Sequence, residues 1–198
     1  MLSLPTILTS LLAIAAPIAA QSPSAQIVAN LELLTSKTEA LQPIASSISI
    51  INGPLIIIGQ GPFPQIISGL QDIVTTAGEA NGQIEIGHPI AKGEDADAVF
   101  WAYKAFATAH QSLLTTLTER AGLFDTVPFI GQPVFAVLRA DKTAIESLSN
   151  SIIHVTPTRA HDLASLLNAL STAFDAAIAV YEGILQKRGM RFGRRAMS

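Results

Sequence analysis

Apolar residues return along most of this chain at alternating steps of three and four. Ile27, Leu31, Leu34, Thr38, Leu41, Ala45 and Ile48 follow that rule, the seam spacing of a helix buried on one face. Pro43 falls inside this run and predicts a bend there. A second helix is expected from about Pro64, a favoured first-turn residue, to about Ala80. A third opens on Glu94, Asp95 and Asp97 and continues to Arg120, with Gly122 as its stop. Its seam is Val99, Tyr103, Phe106, His110, Leu113 and Leu117. A fourth, from about Pro133 to His154, repeats Val134, Leu138, Ile145, Leu148 and Ile152. A fifth begins at Thr156-Pro157, where Thr is expected to cap, and carries Leu163, Leu167, Leu170, Phe174, Ile178, Tyr181 and Leu185. No stretch alternates like a strand over more than four or five residues. The expected fold class is all-α, a helical bundle of about five amphipathic helices.

The two ends follow other rules. Residues 4–20 read LPTILTSLLAIAAPIAA, uncharged and ending in small residues before the polar Gln21-Ser22-Pro23. That is the pattern of a secretory signal peptide, with cleavage expected after Ala20; Pro17 makes a membrane anchor the poorer reading. Residues 40–71 also lack charge, but Gly53, Pro54, Gly59, Gly61, Pro62 and Pro64 break them too often for a membrane span. The expected division is a signal peptide at 1–20, one helical domain at 21–186 and a basic flexible tail at 187–198.

Charge sharpens this division. Before position 187 there are seven basic and fifteen acidic residues, a net charge of −8. Lys187, Arg188, Arg191, Arg194 and Arg195 follow with no acid among them. An acidic body argues against nucleic acid as a partner, because phosphate binding needs a basic surface. Only 14% of residues are charged while 49% are hydrophobic, which excludes disorder and leaves apolar surface as the chain's main resource. Cysteine is absent, so disulfide scaffolds, thiolate metal sites and cysteine nucleophiles are excluded together. No N-x-[ST] sequon is present, which leaves only O-linked sugar open.

Catalytic motifs are correspondingly thin. His88, His110, His154 and His161 occur in no metal-ligand spacing, and Thr156-Pro157 separates the last two. Gly59-Gln60-Gly61 lacks the strand and third glycine of a dinucleotide loop. The acids opening the third helix complement its dipole more readily than they bind metal. His110 and Tyr103 lie on an apolar seam, where each reads either as a hydrogen-bonded core residue or as a polar contact for a ligand. Second apolar stripes (Leu33, Ile44 and Ile51; Phe100 and Leu114) leave three uses for the helices: a fully packed core, which is the commonest, a cavity between them, or adsorption to an apolar surface.

Several runs carry a family likeness. They are Val99-Phe100-Trp101-Ala102-Tyr103-Lys104-Ala105-Phe106, Ala109-His110-Gln111-Ser112-Leu113-Leu114, Arg120-Ala121-Gly122-Leu123-Phe124, Gly131-Gln132-Pro133-Val134 and Val155-Thr156-Pro157-Thr158. Together they resemble the fungal hydrophobic-surface-binding protein A and cell-wall galactomannoprotein family, across residues 25–183. The resemblance implies a secreted or cell-wall, non-enzymatic bundle without cofactor or metal. Such a bundle binds long-chain fatty acids or other lipids between helices, or adsorbs to hydrophobic surfaces; some members recruit lytic enzymes or act on host defence. The seam residues expected to line a cavity are Leu34, Leu41, Tyr103, Phe106, His110, Leu113, Leu138, Leu148 and Phe174, with His110 or Tyr103 at the ligand's carboxylate. The alternatives are an adhesion protein that spreads on apolar surfaces and a secreted effector that binds a host protein.

Overall fold

A computed structural model of the chain describes residues 22–49, 61–122 and 131–195, with side chains as far as residue 186. The expected signal peptide, most of the Gly/Pro-rich connector, Ile51, Leu123 and Phe124 lie outside the described residues. Five helices follow one another: α1 (Pro23–Ser46), α2 (Pro62–Gly82), α3 (Glu94–Arg120), α4 (Gly131–Val155) and α5 (Ala160–Arg195). No strand occurs among the described residues. The chain is an all-α bundle.

Local chemistry sets the helix ends. Ser22 caps α1 by accepting from the Ala25 N–H. Pro43 does not end α1 at once; the helix runs on to Ser46, most of a turn further. Gly61 takes φ 94° before α2, a left-handed conformation that a side chain would strain, and Pro62 then occupies the first turn. Thr156 departs from expectation. Its side chain caps nothing, its Oγ1 is buried without a partner among the described residues, and a short 3₁₀ turn (Pro157–Arg159) leads into α5. The acids opening α3 do more than face the dipole, because Arg159 bonds Asp97 at 2.7 and 2.9 Å and Asp162 at 3.0 Å. That arginine ties the starts of α3 and α5 together. The backbone of α5 continues past position 187 to Arg195, through the positions expected to begin a tail; Lys, Arg and Met are good helix formers.

Packing closes the helices into a ring. Each has two principal neighbours, in the order α1, α2, α4, α5, α3 and back to α1. Side-chain pairs fix the directions. Gln26 and Asn30 meet Gln83 while Lys37 pairs with Asp72, so α1 and α2 are antiparallel. Ser171 meets Glu146 and Asp175 meets Lys142, so α4 and α5 are antiparallel too. Positions 38 and 42 face 110 and 116, so α1 and α3 run parallel. Positions 97 and 117 face 159 and 181, so α3 and α5 also run parallel. One end of the ring therefore gathers the starts of α1, α3 and α5 with the ends of α2 and α4. Residues 83–93 cross that end, held by the Ile90 N–H on the Val155 carbonyl at 2.7 Å.

A five-membered ring has a wide middle. With neighbouring axes about 8–10 Å apart, its centre lies roughly 7–8.5 Å from each axis, against roughly 6–7 Å for four helices. Large side chains are needed to fill it, and the largest fully buried ones are Tyr103, Tyr181, Phe106 and Phe174. All four belong to α3 or α5.

Candidate functional site

The nine seam residues singled out from the sequence are all buried, none more than 5% exposed. Eight belong to one continuous apolar core, and His110 is embedded among them. Leu34 and Leu41 come from α1, Tyr103, Phe106, His110 and Leu113 from α3, Leu138 and Leu148 from α4, and Phe174 from α5. The seam spacing thus gathered residues from four helices.

The middle of the ring is not purely apolar. α3 and α4 are not neighbours in the ring, yet their side chains meet across it. Tyr103 donates its hydroxyl to Ser149 Oγ at 2.8 Å, and Ser149 donates to the Ile145 carbonyl at 2.6 Å. Two turns along α3, His110 Nε2 lies 3.0 Å from Asp141 Oδ2 and Nδ1 lies 3.2 Å from Thr38 Oγ1. His110 and Asp141 are both completely buried. The one arrangement in which every hydrogen is used has Thr38 donating to Nδ1 and Nε2–H donating to Asp141. Phe106 and Phe174 enclose the imidazole, with ring centroids 5.3 and 5.2 Å away. Further along, Tyr181 donates to the Leu117 carbonyl at 3.0 Å.

These contacts decide what the centre can do chemically. Both nitrogens of His110 are engaged, Nδ1 by the Thr38 hydroxyl and Nε2 by Asp141, and all three residues are completely buried. Desolvation pushes the Tyr103 phenol up to about 12, against the smaller opposing effect of the Ser149 contact, and burial pushes Tyr181 up as well. Both are fixed as neutral hydrogen-bond donors. No group of three or more His, Asp or Glu close enough to hold a metal occurs among the described residues.

The chain's fold is similar to that of AfMP4p, whose crystal structure contains palmitic acid. The match has a TM-score of 0.70 at 18% identity, covering 80% of this chain and 99% of that one. No family model and no curated protein matches the chain. At that identity the likeness establishes a shared helical architecture.

Surface hollows lie away from the nine residues. A cavity of about 250 Å³ sits under residues 83–93, lined by Ile27, Ile84, His88, Ile90 and Val155 among others. Shallow grooves of about 480 and 550 Å³ follow the α1–α3 and α2–α4 seams. None of the three is lined by any of the nine residues. The first groove carries the acids Glu32 and Glu39 beside Trp101, which disfavours an anionic occupant.

Asp141 is the residue that sequence reasoning missed. It stands at the seam position between Leu138 and Ile145, where three-and-four spacing demands an apolar residue. An aspartate there was the available signal of a buried polar centre. Ser149 was missed for the same reason.

Proposed function

We propose that this chain is a secreted, non-enzymatic lipid-binding protein that takes a long-chain fatty acid or similar lipid between its helices. The observation that carries this reading is the ring itself: five helices around an apolar centre, filled by large side chains, in which a small polar cluster is buried. The likeness to a fold crystallised with palmitic acid supports it. Burial of about sixteen methylenes contributes on the order of 13 kcal/mol. Association costs about 4–15 kcal/mol, so binding that is at best micromolar to submicromolar is consistent with that balance. Membership of the fungal hydrophobic-surface-binding and galactomannoprotein family belongs to the same proposal, as does secretion, for which residues 4–20 are the support.

The deciding experiment is solvent extraction of protein purified from a secreting host, followed by mass spectrometry. Stoichiometric fatty acid or other lipid is expected; an empty extract with no thermal shift on adding lipids removes the proposal. A second reading is adsorption to hydrophobic surfaces, with lytic enzymes or host proteins as partners. It is favoured by Leu33, Ile86, Trp101 and Val180, large apolar residues left 39–67% exposed. Its signature is uptake onto hydrophobic beads without saturable lipid binding.

A further inference from the structure

If the ring centre receives a lipid, the polar cluster is where its head must be met, and Asp141 shows which kind of head. Its Oδ2 is taken by His110 Nε2 at 3.0 Å. Its Oδ1 is sealed from solvent and has no hydrogen-bond partner among the described residues. A buried acceptor left unmatched costs about 1–3 kcal/mol, and more if it is charged. The donors around it are committed elsewhere: Tyr103 to Ser149, Ser149 to the Ile145 carbonyl, Tyr181 to the Leu117 carbonyl, and Thr38 to His110. Phe106 and Phe174 wall the cluster with apolar surface. One acceptor therefore waits, in the middle of an apolar ring, for a donor that none of the described residues supplies.

We propose that Asp141 Oδ1 anchors the head of a neutral lipid ending in a hydroxyl group, a long-chain alcohol being the simplest. This rests on the lipid-binding reading above and narrows it. The hydroxyl donates to Oδ1 while its chain lies along the apolar seams. An ionised fatty acid has no proton to donate there and sets a second carboxylate against the first, which like-charge repulsion penalises.

The test compares hexadecanol, palmitate and methyl palmitate, three ligands of closely similar chain length, delivered to the full-length protein from one cyclodextrin carrier. Methyl palmitate accepts hydrogen bonds but donates none. Hexadecanol is expected to bind about tenfold to a hundredfold tighter than either, the range set by one hydrogen bond to a charged group. Asp141→Asn, which replaces one carboxylate oxygen by an amide donor, is expected to cut that preference by at least about tenfold. Glu119→Gln, at an exposed position of α3, is expected to leave it unchanged. Equal binding of alcohol and ester by the unaltered protein overturns the proposal while leaving lipid binding intact, and needs no variant to fold. Tighter binding of palmitate overturns it too. Failure of all three ligands to bind removes the lipid-binding reading itself.

Discussion

Tyr103 reaches across the ring to Ser149 from a position 1% exposed, and burial holds its phenol near 12. A folded-state value above the unfolded one near 10 means that folding favours the neutral form. That contribution is complete below pH 10 and is lost as pH rises from 10 towards 12. The loss from this residue is on the order of 3 kcal/mol. Only two tyrosines are present, so tyrosinate absorbance reads the effect directly: ionisation is expected to coincide with unfolding. Tyr103→Phe is expected to move the transition to higher pH, with Tyr181 responsible for what remains. Asp141→Ala leaves the buried His110 Nε2–H without its acceptor and is expected to cost about 1–3 kcal/mol in denaturant melts. Thr38→Val removes a single hydrogen bond and is expected to cost about 1 kcal/mol.

Helix α2 offers a matched pair of glycines. Gly78 faces open space, and a methyl group there meets nothing within 4 Å; Gly78→Ala is expected to stabilise the protein by up to about 1 kcal/mol. Gly69 lies against α1, where an added Cβ falls 2.3 Å from Leu41 Cδ2. Because the obstruction is the far end of a side chain, Leu41 must change rotamer within a packed seam. Gly69→Ala is therefore expected to be less stable than Gly78→Ala by about 1–3 kcal/mol in thermal melts. The helices themselves were legible because apolar spacing and end signals mark them locally, even where Asp141 interrupts the α4 seam: α3 begins and ends at the residues that its acids and Arg120 marked, and α2 begins two residues before Pro64. The ring order was not legible. Five seams of similar composition carry no local mark of which two will face each other; that depends on side-chain volume at the centre, which only the assembled ring reveals. The His110–Asp141 contact joins residues 31 positions apart, beyond the reach of any local pattern.

At the scale of the molecule, Phe106 and Phe174 test whether the centre is a core or a receptacle. Truncating either to Ala in a closed core costs about 3–5 kcal/mol. If the centre takes lipid, Phe106→Ala is also expected to change lipid affinity, measured as the ligand-induced rise in Tm; unchanged affinity would place the lipid elsewhere. The ring order has one more consequence, for the route by which the chain assembles. α1 with α2, and α4 with α5, are sequential hairpins whose contacts close at small entropic cost. α3 is different: both of its ring neighbours, α1 and α5, are non-consecutive in sequence. It is expected to be the keystone, set only when both hairpins stand. Val99→Ala in α3 is therefore expected to speed unfolding and leave the folding rate nearly unchanged, while Leu148→Ala in α4 slows folding, a contrast that stopped-flow chevrons measure. Since α3 also carries Tyr103 and His110, the polar centre of the molecule is then expected to be the last part of it to form.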